Sequence, residues 1–389
     1  MRIAELEIHE FAYELDDVGV ANGHQVYAPG ETLAQPGFVL TVRTADGLEG
    51  HYRGIVFVPP MVTQVSMAAG RLLGRDPLER EGIWQDLWTG LRHTDHLGLG
   101  PIDVALWDLA GKHYGAPVSE LLGGYRTEIP AYASTYFMDE EPDGLSSPEA
   151  VGEFARECRD AGYGAFKLHG DPAGDPDRDV AACEAAREAA PDLDLMLDPS
   201  SEYDTYGDAL RVGRALDDLD FRWYEDPTAD AGQSLQGMER LTRALDTPVL
   251  GAEHVRTGPF GHADHLVSGA CDLVRADVHL DGGVTGALKM ARAAESLGAD
   301  VELHLGGPAT LHCLSAVRNA GYFERGLLHP QDLAWMSDQG FTSSPEAVTD
   351  GTVTVPDGPG LGVEVDWSFV ERRQTGHALL DGSGASGLA

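Results

Sequence analysis

LDLMLDPSS (193–201), DFRWYEDP (220–227) and PVLGAEH (248–254) are three short apolar runs that each close on an acid. The acids are Asp198, Glu225 and Glu253, at intervals of 27 and 28 residues. One strand–helix unit of a parallel α/β fold takes about 30 residues. Acids spaced by one unit therefore occupy matching places on successive parallel strands. If those places are strand C-terminal ends, all three carboxylates point into one mouth. Bare carboxylates there would repel one another and draw protons. A hard divalent cation resolves that conflict, and all-oxygen ligation suits Mg²⁺. The bland alternative, three solvated acids in an acid-rich chain, does not account for the apolar runs or the even spacing.

Outward from these runs the same rhythm continues. EIPAYAS and GAFKLHG precede them; DLVRADVHL, DVELHLGG and YFERGLLHP follow. That makes eight strands from about Glu128 onward. The helix after the first has Ser147 as N-cap, Pro148 at its first position, and Val151, Phe154, Ala155 and Cys158 on one face. Gly162 marks its stop. Eight alternating units predict an α/β fold, a (β/α)8 TIM-type barrel, with a doubly wound open sheet as the alternative. The pairs Gly282-Gly283 and Gly306-Gly307 do not make a dinucleotide fingerprint.

Residues 1–125 lack the rhythm and read as an α+β capping domain. Met1–Glu10 and Gly37–Glu49 read as strands, the second with a turn at Asp46-Gly47. Asp16–Thr32, polar and Gly-rich, reads as a long mobile loop of the kind that forms lids. Residues 61–92 look helical. Ile102, Ala105, Leu106 and Leu109 form a helical stripe ending near Gly111. The barrel is expected over 126–345. Short strands at 346–374 return to complete the cap, and 375–389 form a flexible tail.

Net charge is −37, and the lysines are Lys112, Lys167 and Lys289 alone. Nucleic-acid and anionic-membrane binding are not expected of such a chain. The acidic, lysine-poor composition resembles halophilic proteins and makes Lys167 conspicuous. Cys158, Cys183, Cys271 and Cys313 form no metal-binding spacing and read as reduced core residues. With no signal-peptide core in MRIAELEIHE and no membrane-length apolar run, a cytoplasmic protein is expected.

Barrel active sites lie at strand C-terminal ends. Those ends carry Lys167 and His169 on strand 2, the three acids on strands 3 to 5, then Asp277, His304 and Glu324 on strands 6 to 8. Here the chain resembles the enolase superfamily, in its mandelate racemase subgroup. IDVALWDLAGK, YEDP, LDGGVTGALKMA and PGLGVEVDW carry the resemblance. It implies Mg²⁺ on Asp198, Glu225 and Glu253, a His304–Asp277 dyad, and Glu324 as the residue that hydrogen-bonds the enolate. Two departures stand out. Lys167-Leu168-His169 replaces the Lys-x-Lys of the racemase, and Ser200 replaces an Asn.

The chemistry expected is removal of a proton α to a carboxylate. Such a proton is too weakly acidic for a base near pKa 7 unless the product charge is stabilised. The resemblance implies a hydro-lyase, an acid-sugar dehydratase. It would take the α-proton of an aldonate or aldarate and expel the β-hydroxyl, giving a 2-keto-3-deoxy acid. A racemase or epimerase of a 2-hydroxy acid is the alternative, because His169 and His304 could address opposite faces of one carbon. A catalytically silent metal-binding scaffold is the other. His24, Tyr27, Tyr52 and Arg53, on the segments Asp16–Thr32 and His51–Pro59, are candidates to bind the substrate. The expected partners are a small-molecule sugar acid and further copies of the chain in a homo-oligomer.

Overall fold

A long bulged hairpin opens the chain. In a computed structural model that describes residues 1–331, residues 339–382 and the backbone of 384–386, β1 (Ile3–Ala21) and β2 (His24–Thr44) pair antiparallel to their tips. Leu6, Ile8, Leu40 and Val42 are buried in the cap core beneath α1 (Val58–Leu72), α2 (Arg80–Gly90) and α3 (Leu99–Tyr114). β3 (Glu49–Gly54) follows the turn at Asp46-Gly47 and pairs with β2. α4 (Val118–Leu122) leads to the barrel.

Two expectations for the cap need correction. Asp16–Thr32 is not a loop. Its strands pair as Val18 with Tyr27 and Ala21 with His24, around a turn at Asn22-Gly23. A bulge between Asp16 and Val18 breaks the alternation a strand would show in sequence, and Asp17, at φ 58°, accepts a hydrogen bond from Gly30 N at 2.7 Å. The stripe at 102–109 does not end at Gly111 either. α3 runs to Tyr114 and stops at Gly115, in the left-handed conformation. Gly111 is instead a contact point, since a Cβ there would lie 2.6 Å from Gly360 Cα.

The barrel strands are β4 (Glu128–Thr135), β5 (Ala165–His169), β6 (Asp194–Asp198), β7 (Trp223–Glu225), β8 (Val249–Gly251), β9 (Leu273–Asp277), β10 (Asp300–His304) and β11 (Phe323–Leu328). They are the eight runs read from the sequence. β4 to β10 hydrogen-bond in order, all parallel, and β11 pairs with β4, which excludes the open sheet. Glu302 of β10 bridges toward β11 by accepting from Gly321 N and Tyr322 N, at 3.0 and 3.3 Å. The intervening helices are α5 (Pro148–Asp160), α6 (Pro176–Ala189), α7 (Tyr206–Asp218), α8 (Leu235–Thr242), α9 (Gly258–Ser268), α10 (Gly283–Leu297) and α11 (Pro308–Ala316). Ser147 caps α5 by accepting from Ala150 N, as its sequence predicts. No helix among the described residues is long and apolar enough to cross a membrane.

Three of the stretches that carry the resemblance meet at the joint between cap and barrel. Asp103 of α3 accepts from Thr285 N and Oγ1 on α10, at 2.9 and 2.7 Å. Asp108 accepts from His51 N of β3 and from Leu361 N, both at 2.8 Å. Gly283, at φ 78°, lies against Asp103, where a Cβ would be 2.4 Å from its carboxylate.

The closing segment departs from the sequence reading. β12 (Val348–Thr349) and β13 (Thr352–Thr354) extend the barrel sheet, with β13 antiparallel to β4, rather than joining the cap. The return to the cap follows within the same segment, beginning with Leu361 on Asp108. α12 (Trp367–Arg372) buries Val370 against Phe11, Tyr13 and Val39. The expected tail at 375–389 is an ordered strand over most of its described length. β14 (Gln374–Asp381) pairs with β1, and β15 (Gly384–Ser386) pairs with β14. Alternating Ala378 and Leu380, both buried, give β14 the inward face that its polar neighbours obscure. Residues 332–338, 383 and 387–389, where parts of the expected barrel end and tail fall, lie outside the described residues.

Burial pushes the carboxyls of Asp103, Asp179 and Glu302 up to about 7. The folded chain then holds protons that the unfolded chain releases, so these groups stabilise at acid pH and cease to as pH rises through about 7. Below pH 6.5 buried His262 and His312, pushed down to about 4, oppose that slope. Above it the carboxyls act without that opposition, and Glu225 and His304, raised to about 8 and about 9, add to the same slope. The melting temperature is therefore expected to fall from pH 6.5 to pH 8 at constant ionic strength, and Glu302→Gln should reduce the slope. Scanning fluorimetry across that range is the check; a flat or rising profile would contradict it.

Candidate active site

Strand alternation turns every second side chain of β4 to β11 into the barrel. Tyr132, Ala165, Met196, Trp223 and Leu250 fill its lower interior. One step along the same faces come Lys167 and His169 on β5, Asp198 on β6, Glu225 on β7, Asp277 on β9, His304 on β10 and Glu324 on β11. Glu253 lies two residues past the end of β8. Just beyond these strands the backbone turns through left-handed conformations at Ser200, Asp226, Ala252 and Leu305, with φ of 50°, 29°, 77° and 57°. Such conformations are costly for residues other than glycine and gather at functional sites.

Asp198, Glu225 and Glu253 each offer an oxygen within 4.8 Å of the others'. Lys167 Nζ lies below, 3.0 Å from Asp198, 3.1 Å from Glu225 and 3.0 Å from Glu324. Arg275, fully buried, lies 2.9 Å from Glu225 and 2.6 Å from Glu324, and donates to Tyr132 Oη at 2.8 Å. Two imidazoles flank the carboxylates. His169 donates from Nδ1 to Thr135 O at 2.6 Å, leaving Nε2 3.3 Å from Asp198. His304 donates from Nδ1 to Asp277 at 2.6 Å, leaving Nε2 3.5 Å from Glu253.

The electrostatics follow from crowding. Burial disfavours every charge here, and the pairs overcome it unevenly. Against burial, Glu225 and Glu324 hold Lys167 well above its usual range. Also against burial, Lys167 and His169 hold Asp198 well below the carboxylate range, and Arg275 and Lys167 do the same for Glu324. Glu324 also accepts from Ser134 Oγ and Leu305 N, at 2.9 and 2.8 Å. In this arrangement it accepts hydrogen bonds, whereas donating one to an enolate would call for its protonated form. For Glu225 burial prevails over Arg275 and Lys167 and pushes the carboxyl to about 8. Asp226 is pushed up by burial and by Glu253. Glu253 and Asp277 outweigh burial at His304 and raise it to about 9. Lys167 and Arg275 do not balance the formal charges of Asp198, Glu225, Glu253 and Glu324, even with a charged His304 set against Asp277. Glu225 Oε1, buried, accepts no well-directed hydrogen bond from the described residues, only the charge contact with Arg275. Three oxygen donors, surplus negative charge and an undersatisfied oxygen fit a hard divalent cation.

The four cap candidates scatter. His24, at the hairpin tip, lies 2.6 Å from Glu202 and stacks on Phe137, whose ring centroid is 4.9 Å from that of His169. Tyr27 stacks on His329, just beyond β11. Both therefore sit over the barrel mouth. Tyr52 is buried, with its hydroxyl 2.9 Å from His279 Nδ1. Arg53 lies over the Phe341 ring. These last two line a mainly apolar cavity between β3 and Leu305–Ala309. The sequence reading missed Arg275, although an Arg inside the apolar run DLVRADVHL, two residues before Asp277, signals an inward-facing charge. It also missed Asp226, which fixes the turn into Glu253 by accepting from Ala252 N and Glu253 N, at 3.2 and 3.0 Å. Thr135 holds His169 through its carbonyl oxygen and through Oγ1, which accepts from His169 N at 3.0 Å, and carries no such signal.

Comparison with known proteins gives the family. Residues 150–369 match the family model described as enolase C-terminal domain-like. Residues 23–123 match the mandelate racemase / muconate lactonizing enzyme N-terminal domain. The chain belongs to the enolase superfamily. Among solved structures of the superfamily it is similar to D-glucarate dehydratase from Agrobacterium tumefaciens complexed with magnesium. That pair is 36% identical with a TM-score of 0.88, over 96% of this chain and 99% of the other. Among relatives it is 31% identical to D-galactarolactone cycloisomerase of Agrobacterium fabrum, over 84% of this chain and 88% of the relative. It is also 31% identical to 3,6-anhydro-alpha-L-galactonate cycloisomerase of Streptomyces coelicolor, over 79% and 81%. The superfamily fold of a cap and a (β/α)8 barrel is the architecture seen here.

Proposed function

We propose that the chain is a Mg²⁺-dependent hydro-lyase acting on a sugar acid. The observation that carries this reading is the pair of imidazoles set about the carboxylate trio. Each is held by a hydrogen bond from Nδ1 that aims Nε2 at the trio, at 3.3 Å from Asp198 and 3.5 Å from Glu253. Mg²⁺ on Asp198, Glu225 and Glu253 would supply Lewis-acid stabilisation of charge on the substrate carboxylate. His304 takes the α-proton on Nε2 in its neutral form, which a cation held by Glu253 would favour by offsetting the charge that raises it, and Asp277 stabilises the imidazolium that results. His169, on the opposite side, carries a proton on Nε2 at the outset and gives it to the β-hydroxyl, which departs as water. Lys167 and Arg275 hold the acids in place. His24 and Tyr27 approach the substrate from the cap.

The cycloisomerase relatives motivate a second reading within the same chemistry. There the leaving group is a ring oxygen that stays in the molecule. Incubation with a library of aldonates, aldarates and their lactones, with Mg²⁺ and in high salt, separates the two. Loss of one water with keto-acid formation is the expected result; a keto acid of unchanged mass from a lactone indicates ring opening, and a stereoisomer indicates epimerisation. Neither product, with no α-proton exchange in D₂O, would sink both and leave a silent scaffold.

A further inference from the structure

The outer face of the cap sheet carries a second cluster of ligating side chains, remote in sequence from the barrel acids. Glu7 and His9 point the same way from β1, and His377 faces His9 directly across the β1–β14 ladder. One atom from each, a carboxylate oxygen and two imidazole nitrogens, lies within 4.8 Å of the others. Glu7 Oε1 is 3.2 Å from His9 Nε2 and 2.9 Å from His377 Nε2. His9 donates from Nδ1 to Gln374 Oε1 at 3.1 Å. That bond leaves Nε2 facing the Glu7 oxygen, the same oxygen that His377 Nε2 reaches. The edge of Trp367 packs on the His9 ring, with centroids 5.2 Å apart, and limits its rotation. The charge balance also favours a cation. Arg43 is the adjacent guanidinium, but it is shared among Glu5, Glu7 and Glu49. It engages Glu7 through Oε2, which leaves Oε1 to the imidazoles.

We propose that Glu7, His9 and His377 bind a borderline divalent transition ion of the Zn²⁺ type, clipping β14 to β1. Two imidazoles and one carboxylate are the ligands such an ion prefers, with a solvent-facing position left open. A neutral imidazole fixed by a hydrogen bond from its other nitrogen is the usual support for such a site. The barrel site, with oxygens alone, selects a hard ion. The chain therefore sorts two metals by ligand chemistry, and the second acts on the hold of a late strand, away from the reaction. The site is independent of the proposed reaction and survives its failure.

The test is calorimetric titration of Zn²⁺ into the full chain with Mg²⁺ in millimolar excess. One Zn²⁺ per chain is expected. His9→Ala and His377→Ala should each weaken it more than about tenfold, since loss of even an outer partner of a metal ligand costs 10–100-fold. Glu7→Gln, which preserves shape and removes only the charge, should weaken it as well. Cu²⁺ serves as a second probe. Its paramagnetic resonance spectrum should show hyperfine splitting from two nitrogens in wild type and from one in either histidine variant. Zn²⁺ should raise the melting temperature of wild type and not of the variants, all of which should keep wild-type circular dichroism. No Zn²⁺ binding in the presence of Mg²⁺, equal binding by wild type and variants, or a copper spectrum without two nitrogens would each overturn the proposal.

Discussion

Asp198→Asn, Glu225→Gln and Glu253→Gln are each expected to abolish turnover and to weaken Mg²⁺ binding sharply. The three oxygens lie within 4.8 Å of one another, and each substitution removes one formal charge from the set. A hard ion depends on charge as much as on oxygen. Losing one donor to developing charge typically costs about 10²–10³ in rate, and losing the ion that stabilises it should cost more. Calorimetry reads the binding and a keto-acid assay reads the rate. Stability separates this from simple misfolding. Burial already pushes Glu225 toward its neutral form, so Glu225→Gln should leave the metal-free melting temperature unchanged or higher. What it should lose is the stabilisation that added Mg²⁺ gives to wild type by binding only the folded state. Full activity in EDTA would remove the metal from the proposal altogether.

His304→Asn is expected to lose turnover, by at least the roughly 10²–10⁴-fold that a general base contributes. Asp277→Asn should resemble it for a specific reason. Asp277 Oδ1 accepts from Leu280 N at 2.9 Å and from His279 N, while Oδ2 accepts from His304 Nδ1 at 2.6 Å. An Asn keeps the first oxygen and puts an NH₂ against the imidazole. The ring then accepts at Nδ1, carries its proton on Nε2, and presents no lone pair to the substrate. His169→Asn should differ, losing exchange at one face of the α-carbon only. The measurement is α-proton exchange in D₂O with each variant, on substrate or a slow hydroxy-acid analogue. Near-normal dehydration by His304→Asn would show that β10 does not carry the base.

The eight barrel strands and their inward acids were legible because one physical fact produces both signals. A buried parallel strand is a short apolar run, and its C-terminal end is where a charge can reach the mouth. Asp198, Glu225 and Asp277 are the last residues of their strands for that reason. The hairpin of Asp16–Thr32 was not legible, because a bulge at Asp17 and a largely solvated surface erase the two-residue period. β14 was hidden in the same way, with Ala378 and Leu380 its buried residues among polar neighbours. Within the barrel the period does place Arg275 beside Asp277. Its burial runs against the expectation for a lone arginine, and only the surrounding carboxylates, brought together by closure, make it tolerable.

The pairing of β1 with β14 sets the timetable of biogenesis. Glu7 and His377 meet across 370 residues of chain. At about 5–20 residues per second of synthesis, β1 leaves the ribosome tens of seconds before its neighbour exists. Throughout that interval one edge of β1 has no native partner, and an open strand edge invites pairing with other nascent chains. Glu5, Glu7, Glu10 and Glu14 lie along that strand. Their mutual repulsion would guard the edge until β14 arrives, so the acids on this strand serve the unfinished molecule as well as the finished one.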